Sequence, residues 1–176
     1  KTVVSVIAAL NAVKAGYQVA IMAPTEILAN QHYKYIINNF KKYCNSEILT
    51  GKTEYRQRKK ILNDLLNKKI DVLIGTHALF QNKITYNNLG LIIIDEQHKF
   101  GVNQRKKLSD KGGNNCDVLV MSATPIPRTM MMTIYGDMDI SLIKSKPKNR
   151  KPIKTYSKNE TKIDEVIKFI KSEILK

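Results

Sequence analysis

The sequence predicts a three-layer α/β fold, a mostly parallel sheet covered on both faces by helices. Two observations carry that prediction. Short apolar runs alternate with amphipathic stretches of helical period, the pattern of successive strand-helix units. The main runs also end on small, polar or acidic residues, as strands do when their C-terminal ends line the ligand crevice of an open parallel sheet.

The elements follow in order. Lys1-Thr2 precedes an apolar stretch whose spacing predicts a helix over residues 3–15. Residues 17–23 (YQVAIMA) predict a strand and 26–43 a helix; a weaker strand is expected at 47–49 and a helix at 53–67. Strands are then expected at 71–75 (DVLIG), 91–95 (LIIID) and 117–122 (DVLVMS), with helices at 101–110 and 127–135. In a parallel sheet Pro24, Thr25, Glu26, Thr76, His77, Asp95, Glu96, Ser122, Ala123 and Thr124 then share one edge, where chemistry is to be sought. From Lys144 the texture changes to a stretch rich in proline and cations, KSKPKNRKP, followed by a β-type run at 153–156. A helix closes the chain with Ile163, Val166, Ile167, Ile170 and Ile174 on one stripe and Asn159 as its expected N-cap. One strand and one helix cannot enclose a core. The expected organisation is therefore a first domain over 1–143 and, over 144–176, a linker with the first unit of a second domain, or else an extension docked on the first.

Composition bounds the function. With 176 residues, 43% of them hydrophobic, the chain can bury one ordinary core. Thirty Lys and Arg against fifteen Asp and Glu give a net charge of +15, which favours an acidic partner such as nucleic acid or nucleotide. Only five of those cations are Arg, and the chain is also crowded with Ile and Asn. The codons of all three abundant types are rich in A and T, so base bias accounts for part of the charge and the motifs must carry the rest. No run approaches the roughly 18 apolar residues of a membrane span, and the residues show no pattern of a secretory leader, so a cytosolic protein is expected. Cys44 and Cys116 lack CxxC spacing and a neighbouring His, which argues for free thiols over a disulfide framework or a zinc site.

Two pairs carry chemistry. Asp95-Glu96 follows four apolar residues, as nucleotide hydrolysis requires: one carboxylate holds the magnesium that bridges the phosphates, and the next orients the attacking water. Lys1-Thr2 ahead of a helix matches the end of a phosphate-binding loop, GxxxxGK[ST], in which lysine reaches the terminal phosphates and the hydroxyl binds magnesium. Alone, each has an ordinary reading, acids meeting solvent at a strand end and a solvated terminus. Together they gain weight.

Asp95-Glu96-Gln97-His98, continuing Lys99-Phe100-Gly101-Val102, resembles motif II of the RecG-type bacterial DNA helicases. The likeness runs along nearly the whole chain. Residues 23–29 (APTEILA) with Gln31-His32 resemble motif Ia, Leu49-Thr50-Gly51 motif Ib, and residues 75–79 (GTHAL) the segment after it. Residues 122–129 (SATPIPRT) resemble motif III, and 135–139 (YGDMD) its usual sequel. The resemblance implies a RecA-like P-loop domain lacking its first strand and glycine loop, with ATP and Mg2+ as cofactors. Lys1 and Thr2 then bind phosphates, Thr2 and Asp95 magnesium, and Glu96 activates water. Gln97 and His98 sense the nucleotide, and Ser122, Ala123 and Thr124 couple hydrolysis to movement. Pro24, Thr25, Glu26, Gly51, Thr76 and His77 grip the DNA backbone without reading sequence. The implied whole is a monomeric, cytoplasmic bacterial motor that acts on branched or forked DNA in repair and recombination, with no membrane partner. The fragment alone is expected to be inactive, because the amide cradle and arginine finger lie outside it.

Other readings stand beside these. A non-enzymatic nucleic-acid-binding module explains the charge without turnover. A decayed gene fragment is expected to be unstable, its missing strand leaving a central sheet neighbour unpaired. His32, on a helix behind the sheet edge, reads as structural, and Met130, Met131 and Met132 as core filling. Tyr33, Tyr35 and Tyr43 read as packing residues of a helix and not as a base-stacking platform.

Overall fold

The computed structural model describes residues 1–80, 84–96, 116–123, 139–143 and 155–175. The chain falls into two compact units, Lys1–Ile134 and Tyr135–Lys176. In the first, the order is α1 (Thr2–Lys14), β1 (Gln18–Met22), α2 (Glu26–Phe40), β2 (Ser46–Leu49), α3 (Tyr55–Leu66), β3 (Val72–Gly75), β4 (Leu89–Asp95) and β5 (Asp117–Met121). The five strands form one parallel sheet in the order β2-β3-β1-β4-β5.

The three layers come from the two-residue period of the strands. Ala20, Met22, Leu73, Ile92 and Ile94 face one side with Ile61 and Leu65 of α3. Val19, Ile21, Val72, Ile74 and Ile93 face the other with Val6 and Ala9 of α1 and Ala29 and Ile36 of α2. Every residue of β1 and β3 is buried, as central parallel strands require. Both have partners on each side. The least covered is the edge strand β5, where Asp117 is exposed and Val118, Leu119 and Val120 are half-buried.

Local signals explain the connections. α1 ends where Gly16 takes the left-handed φ of 86° and donates its amide to the Val13 carbonyl, while Tyr17 donates to Ala12; this turn satisfies the last helical carbonyls. The buried Gln18 then ties three segments together. Its amide nitrogen donates to the carbonyls of Leu65 and Ile70, each at 2.8 Å, and its oxygen accepts from the backbone of Asn87 and Asn88.

Several expectations change. α2 stops at Phe40, so Tyr43 is not helical but lies 70% exposed in the following turn; Tyr35 does pack, against the Phe40 ring with centroids 5.9 Å apart. A 3-10 turn at His77–Phe80 was not anticipated. Cys44 is buried and Cys116 half-buried, both free. The helices expected at 101–110 and 127–135, with Met130, Met131 and Met132, lie outside the described residues.

In the second unit, α4 (Ile163–Ile174) follows a 3-10 turn at Glu160–Lys162. Asn159 is the N-cap of that turn and not of α4, and makes no side-chain cap bond; the residue before α4 is Lys162, the last of the turn, which makes none either. Thr155 and Tyr156 are not in a strand. Ile163, Ile167, Ile170 and Ile174 of the stripe are exposed. Among the described residues no helix is long and apolar enough to cross a membrane.

Candidate nucleotide and nucleic-acid site

Parallel register brings the expected edge together. Met22 is opposite both Gly75 and Ile94, and Asp95 is opposite Met121. The residues that follow these positions therefore emerge side by side.

At one end stands a cluster of charge. Lys1 Nζ lies 2.9 Å from Glu96 Oε1, joining residues 95 positions apart. The backbone amide of Ala123, just beyond β5, donates to Glu96 Oε2 at 3.3 Å. Glu96 itself adopts a φ of 51°, a left-handed conformation uncommon for a residue with a side chain and typical of sites where the backbone is bent to a purpose. That bend turns the Glu96 amide back onto Asp95 Oδ1 at 3.0 Å. Asp95 is buried, and its other oxygen, Oδ2, lies 3.0 Å from Nε2 of the buried His32. Burial alone raises the Asp95 pKa. The hydrogen bond and charge of His32, the Lys1 ammonium and the Glu96 amide outweigh it, holding the carboxyl below its ordinary value.

Thr2 is the half-buried first residue of α1. The helix has no side-chain cap and no acid in its first turn, so its N-terminal amides and dipole suit an anion. Ser122 and Ala123 follow β5, as expected. Gln97, His98 and Thr124 lie outside the described residues.

The six residues expected to grip a backbone converge as well. Pro24, Thr25, Glu26, Gly51, Thr76 and His77, joined by Ala78, line an open cleft of about 350 Å³ at the ends of β1, β2 and β3. Thr25 caps α2, its hydroxyl accepting from the Leu28 amide at 3.3 Å. Gly75 admits no side chain here: an added Cβ would overlap the Leu49 carbonyl oxygen and lie 2.9 Å from Leu79 Cδ2. A second cleft of about 390 Å³, lined by Glu26, Ile27, Asn30, Gln31, Lys34 and Lys52, shares Glu26 with the first. Lys52 pairs with that carboxylate at 2.9 Å.

These contacts revise one reading. His32, expected to be structural, also meets a carboxylate of the charged cluster. A signal was present: Ala29, His32 and Ile36 form the buried stripe of α2, and an ionisable group on a core stripe needs a polar partner.

Residues 1–133 match the DEAD/DEAH box helicase model. The chain belongs to that family. Among its relatives it is 48% identical over 176 residues to the ATP-dependent DNA helicase RecG of Staphylococcus epidermidis, covering 100% of this chain and 26% of that protein. It is 49% identical to RecG of Aquifex aeolicus, covering 22% of it. The chain thus spans about a quarter of the length of these relatives. A solved structure of RecG bound to a three-way DNA junction superimposes with a TM-score of 0.81 at 42% identity, over 98% of this chain and 23% of that one. The DNA-bound helicase MrfA shares the fold at a TM-score of 0.62 and 16% identity. The RecA-like three-layer sheet expected from the sequence is the family's fold.

Proposed function

We propose that this chain is the ATP-hydrolysing part of a RecG-type DNA helicase, a bacterial cytoplasmic enzyme that works on branched DNA. The observation that carries the reading is the meeting of Lys1, Asp95 and Glu96 through hydrogen bonds at the N-terminus of α1. ATP with Mg2+ fits these residues. Among the described residues no three His, Cys, Asp or Glu side chains assemble a metal cage. Magnesium needs none, being commonly held by one or two carboxylates together with substrate phosphates. Bound there, the ion would neutralise charge on the phosphates.

The protein's own groups supply the rest. Asp95 and the Thr2 hydroxyl would hold the ion, and the amides at the N-terminus of α1 would receive phosphate oxygens. Lys1 exchanges Glu96 for the terminal phosphate. Glu96, still held through Oε2 by the Ala123 amide, would then turn Oε1 to the attacking water. Ser122 and Ala123 connect that carboxylate to β5, a path by which hydrolysis is felt in the next segment; Gln97, His98 and Thr124 extend it by motif.

The cleft at Thr25, Gly51 and Thr76 suits a sugar-phosphate strand, because small side chains and backbone groups grip without reading bases. Binding is therefore sequence-tolerant and weakens with salt. We read 1–143 as the first motor domain and 144–176 as the linker and start of the second. Branched DNA as the substrate is supported by the likeness to RecG. The test is ATP turnover by the full-length protein with a three-way junction, a linear duplex or no DNA. The junction is expected to stimulate most; turnover indifferent to all three would overturn the reading.

A further inference from the structure

The sequence marks His32 as an ordinary buried histidine, but its contacts show otherwise. It lies on the core stripe of α2 with its side chain only 7% exposed, and its sole described polar contact is Asp95 Oδ2 at 3.0 Å. An ionised carboxylate can only accept, so His32 Nε2 carries the hydrogen and donates. Asp95 Oδ1 meanwhile accepts from the Glu96 amide at 3.0 Å. A donor on each oxygen fixes the plane of the carboxylate. The remaining lone pairs then have one direction open to them.

We propose that His32 is a positioning residue for magnesium binding, which holds the Asp95 carboxylate in the orientation that receives the ion. The proposal rests on the reading of Asp95 as the magnesium carboxylate, and it adds a residue from outside motif II to that site. The rod that carries His32 is anchored at its far end. α2 starts at Thr25 and Glu26, in the wall of the cleft, and reaches Asp95 two turns later. The orientation of the carboxylate is thus set from a helix and not by the strand that bears it. Groups that orient a metal ligand in this way are typically worth about 10- to 100-fold in metal affinity.

The experiment uses the full-length protein and a fluorescent ADP analogue, so that binding is read without turnover. Mg2+ is titrated in wild type, His32→Phe, His32→Ala and His32→Gln. Phe keeps the ring volume and lacks the donor; Gln places an amide donor at similar reach. Half-saturation is expected at about 10- to 100-fold more Mg2+ in the Phe and Ala variants, with most of the loss restored by Gln. Nucleotide binding in EDTA is expected to stay unchanged in all four. A purely structural His32 would lower the melting temperature of the Phe or Ala variant while leaving half-saturation within twofold of wild type, and that result overturns the proposal. If Phe and Ala do not fold, His32→Leu and His32→Met, which also lack the donor, take their place: wild-type Mg2+ half-saturation in a folded variant overturns the proposal, and a loss of about 10-fold or more supports it. Asp95→Asn separates the two levels. Should it leave the Mg2+ requirement unchanged, the reading of Asp95 fails; should only the His32 variants leave it unchanged, the positioning role alone fails.

Discussion

The charged cluster and the cleft occupy the same edge of the same sheet, yet they are built on opposite terms. At Asp95 and Glu96 every carboxylate oxygen has a donor, supplied by His32, the Glu96 amide, Lys1 and the Ala123 amide. At Thr25, Gly51 and Thr76 the wall is small side chains and backbone, and the space itself is the feature. The difference fits the two tasks proposed for them. Hydrolysis needs fixed charge, aimed at one place. Holding a strand of any sequence needs room and neutral donors, with discrimination left out. Substitutions should therefore act differently at the two places.

The largest effect is expected from Glu96→Gln. It removes the base and keeps the shape, so ATP turnover by the full-length protein should fall at least about 100-fold while retention of single-stranded DNA is unchanged. A matching loss of DNA retention would break the separation between the two places. Gly75→Ala comes next, at the buried end of β3 just before Thr76 of the cleft. The new Cβ meets the Leu49 carbonyl and the Leu79 side chain, and overpacking of this kind costs about 1–3 kcal/mol, measured by denaturant unfolding.

A pH experiment tests the charged cluster by itself. The Asp95 pKa is lowered in the fold, so its ionised form contributes stability above the ordinary Asp value of about 3.9. That contribution disappears as pH falls through the lowered value. Asp95→Asn should therefore flatten the acid limb of the stability curve, and an unaltered limb would show the cluster to be energetically silent. The smallest effect is expected from Thr25→Ala, which removes the α2 cap. The 3.3 Å bond is long, so the loss should sit near the lower end of the capping range, about 0.5 kcal/mol.

Strand ends were legible in the sequence because parallel register converts a list of terminal residues into a shared edge. Pro24, Thr25, Glu26, Thr76 and His77 of the cleft were found that way, whereas Gly51 came from the resemblance to motif Ib. What escaped was set by contacts between elements distant in sequence. His32 meets Asp95 across 63 positions, and no local pattern announces that. The left-handed turn at Glu96 was equally hidden, since neither glycine nor asparagine marks it. β4 begins two residues earlier than its apolar run suggests, because Leu89 pairs with Gln18 across a shift in register and Gly90 lets the Tyr17 ring lie close. Tyr43 was misjudged because helical period says where a pattern continues and not where the chain leaves the core.

The strand order also sets a timetable. β1 is hydrogen-bonded to β3 and β4, yet β3 starts only at Val72, about 50 residues after Met22. At the usual pace of translation, roughly 5–20 residues per second, that interval lasts roughly 3–10 s. For those seconds a wholly apolar stretch, VAIM, is made but has neither of its sheet neighbours, the state in which unpaired strands are prone to associate wrongly. β1 is thus made well before either strand that encloses it, and the yield of active protein depends on what shelters it in between.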